Sequence, residues 1–345
     1  MIKTQGDIFM KSLRILLSVL LTASLLLAFA SCAGGETSSE PTSESSDPVR
    51  VHTLMGPTGM GMAKLMSEAK AGTSAQTYSF TVASAPDQIS AEVIKGSFDI
   101  AAVPVNLASV LYNKTDGSLM VAGVNTLGVL YVLEKGDAIH SVSDLRGKTL
   151  YATGQGATPE YTLRYILEKN GLDPDKDVTI EYLAEHAELA SQMVSGSVSL
   201  GMLPEPNVTS VLLGNGEVRI ALDLTEEWRK VSDADLVQGV IVVREGFAEE
   251  RPDALNRFLE EYAASVAFTN EKTDEAAALI EEAGIIPKAA VAKKALPNCN
   301  IVLVTGEKMK AQIGGMLSVL YEAAPASVGG KLPDDAFYYL PSSAQ

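Results

Sequence analysis

Cysteine and basic residues are both scarce in this chain, and each shortage excludes a class of protein. Only Cys32 and Cys299 occur among 345 residues, which excludes a disulfide framework and a zinc module built from several thiolates. Lys and Arg number 27 against 43 Asp and Glu, for a formal net charge of −16. A nucleic-acid partner needs a broad basic face, so this charge disfavours one.

Motifs for cofactor and metal chemistry are also missing. Gly147-Lys148-Thr149 resembles the end of a P-loop, but Val142 stands where the first glycine of that loop is needed. The three histidines lie far apart in sequence and form no recognisable metal motif. We therefore expect no cofactor and no metal, and we expect that the protein is not an enzyme.

The composition is that of a folded, globular protein. Apolar residues make up 46% of the chain and charged residues 20%. At about 150 residues per domain, this length predicts two domains or one large one.

The N-terminal segment has the features of a secretory signal. An apolar run at residues 15–30 follows Lys11 and Arg14, which is typical of a signal peptide. Ala30-Ser31-Cys32 then resembles the lipobox of bacterial lipoproteins, in which the cysteine is diacylated and becomes the mature N-terminus. We predict a signal peptide at 1–31, lipidation at Cys32 and an extracytoplasmic, lipid-anchored protein; an ordinary cleaved signal is the alternative.

The segment after Cys32 fits a tether. Residues 33–48, AGGETSSEPTSESSDP, are too polar to offset the entropy of folding. We therefore predict a flexible tether at 32–48, with the membrane contacted through the lipid anchor only.

A weak internal repeat at an offset of one hundred residues predicts the fold. Residues 93–106, VIKGSFDIAAVPVN, align without a gap with residues 193–206, MVSGSVSLGMLPEP. Upstream, 77–89 pairs with 177–189 in the same way. Each copy reads as a βαβαβ unit, so the sequence predicts two mostly parallel sheets.

Two similar apolar strands, at 128–134 and 239–245, bracket the second copy and predict the domain boundaries. Lobe one is predicted at 49–133 plus 234–345, and lobe two at 134–233. Further helices are predicted from Pro252 onward and at about 306–323. The C-terminal ends of both sheets should face a common cleft, where open α/β sheets bind ligands.

Six segments in this order resemble a known family. In the first copy they are LMGPTGMGMAKLM, SAPDQI and GSFDIAAVPVN; from the second copy onward they are SDLRGKTLYATGQGATPEYTLRYIL, SGSVSLGMLPEP and VVREGFAEERPDALNRFLEEY. They resemble the bacterial substrate-binding proteins of ABC importers in the nitrate, sulfonate and taurine group, which includes thiamine-pyrimidine-precursor binders. The resemblance implies the two-lobed type II periplasmic-binding α/β fold, a small-molecule ligand and an ABC permease partner.

Loops at strand ends that open helices carry unpaired N–H groups, which can bind polar ligands. The predicted ligand-binding residues all lie in such loops. They are Gly56, Pro57, Thr58, Gly59, Ser84, Ala85, Asp87, Val105, Asn106, Gly154, Gln155, Gly156, Ala157, Thr158, Glu185, His186 and Glu205. Thr158 is also a candidate helix cap.

The charge of these loops indicates a ligand class. They contain no Lys or Arg, whereas Asp87, Glu160, Glu185 and Glu205 are acidic. A sulfonate or phosphate site usually places a cation, so a neutral or cationic small organic molecule is favoured.

Two other functions stay open on the sequence alone. One is a receptor of a TRAP-type transporter, whose first loop is also glycine-rich. The other is an enzyme on the same scaffold, related to thiamine-pyrimidine synthesis; however, no base is positioned for Cys299, which we expect to pack as a small apolar residue. A monomer is expected for a receptor that closes about a hinge.

Overall fold

The computed structural model describes residues 47–340. The predicted signal peptide, Cys32 and the tether up to residue 46 lie outside the described residues. Within this part of the chain, eleven strands form two separate sheets.

The first sheet has six strands, in the order β11-β4-β10-β3-β1-β2. β1, β2 and β3 are mutually parallel, whereas β10 inserts antiparallel between β3 and β4. The strand bounds are β1 Val49–Leu54, β2 Tyr78–Ala83, β3 Ile100–Pro104, β4 Leu119–Thr126, β10 Gly239–Arg244 and β11 Ile301–Val304.

The second sheet has five strands in the order β7-β6-β8-β5-β9, which repeats the plan of the first. β6, β7 and β8 are parallel, and β5 inserts antiparallel between β8 and β9. The bounds are β5 Leu130–Lys135, β6 Thr149–Thr153, β7 Thr179–Leu183, β8 Leu200–Pro204 and β9 Val218–Asp223. The predicted two-lobed α/β fold is confirmed, with one difference. Both sheets are mixed rather than mostly parallel, because β10 and β11 in the first sheet and β5 in the second run antiparallel to their neighbours.

One predicted domain boundary needs a correction. The division between residues 133 and 134 cuts through β5, all of which pairs within the second sheet. Because β4 ends at Thr126 in the first sheet and β5 begins at Leu130 in the second, the chain crosses at residues 127–129. It returns before β10, at residues 224–238.

Helices connect and cover the strands. Within residues 47–340 they are α1 Pro57–Met60, α2 Ala63–Ala71, α3 Pro86–Lys95, α4 Val105–Lys114, α5 Thr158–Lys169, α6 His186–Ser195, α7 Asn207–Gly214, α8 Leu224–Arg229, α9 Glu245–Glu250, α10 Pro252–Glu271, α11 Thr273–Glu282, α12 Ala289–Ala295 and α13 Gly306–Ala323. The predicted helices from Pro252 and near 306–323 are therefore confirmed as α10 and α13. None of the helices in this part of the chain combines the length and apolar character needed to span a bilayer.

The repeat is visible in how equivalent helices end. α3 stops at Gly96 and α6 at Gly196, with φ of 69° and 79°. Glycine adopts this left-handed conformation without the steric cost that a side chain adds, so it closes both helices.

Three apolar clusters hold the elements together. One face of the first sheet packs on α2, α10 and α11, and one face of the second sheet packs on α6 and α7. The remaining face of each sheet contributes to a single shared cluster, in which Val103 and Val240 of the first sheet lie in one group with Leu150 and Met202 of the second. Burial on both faces explains why β10 is apolar from Gly239 to Val243, before it ends at Arg244.

Candidate functional site

All predicted ligand-binding residues lie where a parallel strand ends and a helix begins. In the first sheet they follow β1, β2 and β3, and in the second they follow β6, β7 and β8. The structure thus places two equivalent sets of loops, one at the C-terminal edge of each sheet. Such edges are where open α/β sheets bind ligands.

The loop after β1 depends on its glycines and is held by hydrogen bonds to residues outside the loop. A Cβ at Gly59 would lie 2.2 Å from the carbonyl oxygen of Leu54, so only glycine fits there. The Thr58 carbonyl accepts a hydrogen bond from Nδ2 of Asn125 at 3.0 Å. Gly56 donates its N–H to the carbonyl of Ile285 at 3.2 Å. Pro57 occupies the first turn of α1.

The loop after β2 is mostly exposed, and nearby side chains accept two of its N–H groups. Ser84 donates its backbone N–H to Oε1 of Gln88 at 3.1 Å, and Gln88 donates its own N–H to Oδ1 of Asp87 at 3.0 Å. Ala85 is the extended residue that precedes α3. Ser84 and Asp87 are both exposed to solvent.

One hydrogen bond joins the candidate residues of the two sheets. Oγ1 of Thr158, in the first turn of α5, donates to Oδ1 of Asn106, in the first turn of α4, at 3.0 Å. Both side chains are buried, as is Val105. The predicted capping role of Thr158 is therefore wrong: Ala157 is the N-cap residue of α5, and the Thr158 hydroxyl bonds across the sheets instead.

The loop after β6 turns through two glycines with positive φ. Gly154 has φ of 80° and Gly156 of 74°. The N–H of Gly156 is taken by Oε2 of Glu160 at 2.6 Å. Gln155 is exposed, and Ala157 is partly buried.

The loop after β7 brings a histidine against β6. Nδ1 of His186 lies 2.6 Å from Oγ1 of Thr153, a fully buried residue at the end of β6. Burial lowers the pKa of His186, and the nearby Glu185 carboxylate opposes that shift. The imidazole is therefore preferentially neutral, whereas Glu185 itself is exposed.

Glu205, after β8, is almost completely buried, with 1% of its surface exposed. Its Oε1 accepts hydrogen bonds from the Thr209 hydroxyl at 3.0 Å and from Nδ2 of Asn298 at 3.2 Å, and its Oε2 accepts the N–H of Thr209 at 3.1 Å. Burial raises the pKa of this carboxyl group, and these hydrogen bonds oppose the shift. Both carboxylate oxygens of Glu205 therefore already accept hydrogen bonds from the protein.

Sequence reasoning missed several polar residues around these loops. Asn125 holds the loop after β1, and Asn298 reaches Glu205. Gln238 accepts the N–H of Val105 on its carbonyl and donates its own N–H to the carbonyl of Thr126. No motif marks these residues in the sequence. Each is identified only by the hydrogen bonds that it forms to a loop.

Two cavities lie away from the candidate loops. One, of about 280 Å³, is bordered by Met66, Tyr78 and Phe80, and the other, of about 300 Å³, by Leu296 and Asn300. Neither is lined by a predicted ligand-binding residue. Within residues 47–340, no group of three or more His, Cys, Asp or Glu side chains is arranged to hold a metal ion.

Comparison with known families gives a match over most of the chain. Residues 62–294 match a family described as "ABC transporter, phosphonate, periplasmic substrate-binding protein". No curated protein matches the sequence.

Solved structures share the fold. A crystal structure of an ABC transporter from Parabacteroides distasonis is 26% identical, covers 85% of this chain and 99% of its own, and has a TM-score of 0.72. The periplasmic aliphatic sulphonate-binding protein SsuA from Escherichia coli is 19% identical, with coverage of 86% and 94% and a TM-score of 0.69. The alkanesulfonate-binding protein SsuA from Xanthomonas axonopodis pv. citri, bound to MOPS, is 16% identical, with coverage of 83% and 94% and a TM-score of 0.59.

Proposed function

Because this chain belongs to the phosphonate family of ABC transporter periplasmic substrate-binding proteins, we propose that it captures a small organic molecule between two lobes and delivers it to an ABC permease. Membership makes it an extracytoplasmic solute-binding protein. The Thr158–Asn106 hydrogen bond carries the proposal, because it brings a ligand loop of one sheet against a ligand loop of the other. The proposed lobes are 49–129 plus 234–345 and 130–233, which moves the first predicted boundary so that β5 belongs wholly to lobe two.

The ligand is neutral or cationic in this proposal, although the family description names phosphonate. Backbone N–H groups at helix starts are the usual anion sites of such loops. Three of them are already occupied by carboxylates of this chain: Asp87, Glu160 and Glu205 accept the N–H groups of Gln88, Gly156 and Thr209. An oxyanion would have to displace these carboxylates and would be repelled by them, whereas a neutral or cationic ligand would not.

A ligand panel tests this class directly. The protein is unfolded, dialysed and refolded to remove carried-over ligand, and its thermal unfolding is then followed with single compounds. A pyrimidine, choline and spermidine represent the favoured class; methylphosphonate, ethanesulfonate and nitrate represent the anions. A compound at one hundred times its Kd stabilises the folded state by about 2.7 kcal/mol. Stabilisation by the anions alone would refute the proposed ligand class and leave the receptor function intact.

A matched variant shows whether Glu160 excludes anions. Glu160→Ala frees the Gly156 N–H, whereas Glu168→Ala, on the same helix and exposed, leaves it occupied. We expect methylphosphonate to stabilise the first variant more than the second. Equal responses would show that Glu160 does not determine the ligand charge.

The proposed lipid anchor is tested at Cys32. The wild-type chain should fractionate with bacterial membranes and incorporate labelled palmitate, and Cys32→Ser should lose both properties. The buried Cys299→Ser serves as the control and should keep both. Release of the wild-type chain in soluble form would instead favour an ordinary cleaved signal.

A binding role also suits the one described cysteine. Cys299 is fully buried, and burial raises the pKa of its thiol well above the ordinary value. A thiol in this state is a poor nucleophile, so it gives no support to an enzyme on this scaffold.

A further inference from the structure

Asn298 belongs to the first lobe, but it forms hydrogen bonds to residues of the second lobe. It ends the short 3₁₀ turn Leu296–Asn298, and both Leu296 and Cys299 are buried in the apolar cluster of the first sheet. The Asn298 side chain donates to Glu205, and its carbonyl accepts the hydroxyl of Tyr131 on β5 at 3.2 Å. The preceding helix α12 packs on α7 of the second lobe. A single turn therefore attaches the first lobe to the second without a covalent crossing.

Asn300, two residues later, holds the covalent crossing itself. Its Nδ2 donates to the carbonyl of Gly128 at 2.6 Å, and its own carbonyl accepts the N–H of Leu127 at 3.1 Å. Its φ of 44° is left-handed, a conformation that asparagine tolerates better than most residues. Residues 296–300 thus contact both the crossing segment and lobe two.

Hydrogen bonding between the ligand loops is sparser. Among the described candidate residues, Thr158 and Asn106 are the only pair that hydrogen-bonds from one sheet to the other. A domain hinge consists of a few loop or element-terminal residues, a description that fits residues 296–300. The turn has two hydrogen bonds to lobe two and two to the crossing, so the pivot belongs there.

We propose that residues 296–300 are a third, noncovalent hinge point beside the two chain crossings, and that the Thr158–Asn106 hydrogen bond is a latch that holds the lobes together without ligand. Losing the latch opens the lobes about an intact hinge, whereas losing Asn298 loosens the hinge. Neither effect depends on what the ligand is. Failure of this proposal would therefore leave the receptor function standing.

Spin-label distances measure both effects. Ala91→Cys on α3 and Ser191→Cys on α6 place nitroxides at exposed, equivalent positions of the two lobes in the full chain carrying Cys32→Ser. The protein is refolded without ligand, and double electron–electron resonance gives the distance distribution. We expect one short, narrow distance in this parent. Thr158→Val should raise the population at longer distance about fivefold, the factor that one net hydrogen bond contributes, and Asn298→Ala should broaden the distribution.

Matched controls separate these effects from general damage. Thr162→Val, one turn further along α5, removes a buried hydroxyl that has no hydrogen-bond partner, and Asn170→Ala removes an amide that bonds only within its own helix. Tyr131→Phe breaks the second bond of the hinge turn and should also broaden the distribution, which covers the case in which Asn298→Ala does not fold. The latch is refuted if Thr158→Val matches Thr162→Val, or if the parent shows only long distances. The hinge point is refuted if Tyr131→Phe, or a folded Asn298→Ala, matches Asn170→Ala.

Discussion

Gly128 lies in the first chain crossing where a side chain has little room, and replacing it tests how tightly that crossing is packed. A Cβ at Gly128 would lie 2.1 Å from Oγ1 of Thr225 and 3.0 Å from Cδ2 of Leu236. Thr225 is buried at the start of α8, where Asp223 accepts its N–H at 2.8 Å. Gly128→Ala must therefore move either the crossing or the helix.

Two opposing effects determine how much Gly128→Ala changes the free energy of unfolding. Extra volume in a well-packed site typically costs about 1–3 kcal/mol. Alanine also restricts the unfolded chain, which returns about 0.4–1 kcal/mol where the backbone φ is compatible, as it is here because Gly128 is not left-handed. We therefore expect the free energy of unfolding, measured by urea denaturation, to fall by about 1–2 kcal/mol.

A control and a rescue isolate the clash. Gly216 has open space at its Cβ position and is also not left-handed, so Gly216→Ala should be neutral or slightly stabilising. The Thr225 hydroxyl is buried without a hydrogen-bond partner, so Thr225→Ala removes the clashing atom and breaks no bond through it. We expect the double variant Gly128→Ala/Thr225→Ala to recover about 1 kcal/mol beyond additivity. If Gly128→Ala is as stable as Gly216→Ala, or if Thr225→Ala gives no recovery, the packing argument is wrong.

Two further predictions concern charged groups. Asp99 is buried, and although burial alone would raise the pKa of its carboxyl group, hydrogen bonds from Arg50 and Arg244 lower it. Asp99→Asn should lower the free energy of urea unfolding by about 2–3 kcal/mol. This is less than for a fully buried ion pair, because Arg50 is partly exposed and solvent screens its charge. The control Asp137→Asn, at an exposed carboxylate, should change the free energy of unfolding by less than about 0.5 kcal/mol. Burial lowers the pKa of His186, so its contribution to stability is complete above the unfolded pKa of about 6.5 and is lost as the pH falls through the folded pKa. Urea unfolding between pH 7.5 and 5 should therefore depend less on pH in His186→Gln than in the wild type, and an unchanged slope would contradict this.

The features that could be predicted from the sequence are those that repeat or alternate locally. The one-hundred-residue offset predicted two sheets, and Gly96 and Gly196 close equivalent helices in both. Long helices with regular apolar spacing, such as α10, were predicted from the same kind of local signal. In these segments, the spacing of apolar residues or the glycine that ends the helix can be seen within a short stretch of sequence.

Features that depend on distant partners could not be predicted in this way. Thr158 carries the local signal of a cap, but its hydroxyl bonds to Asn106, 52 residues away. Glu205 was predicted as a ligand contact from its place in a loop, and its hydrogen bond to Asn298 spans 93 residues. The boundary inside β5 was misplaced for a related reason, because an apolar strand does not indicate which of two similar sheets it joins.

The exchange of strands between the two halves has a consequence for how the molecule can be divided. Each sheet contains one central strand that comes after the other repeat in the chain. β10 follows the second repeat but lies in the first sheet, and β5 follows the first repeat but lies in the second sheet. A fragment starting at residue 134 would lose most of β5 and leave β8 and β9 with no strand between them. The apolar cluster that both sheets build means that either half, separated from the other, would expose part of its core. The two halves should therefore melt together in a single transition.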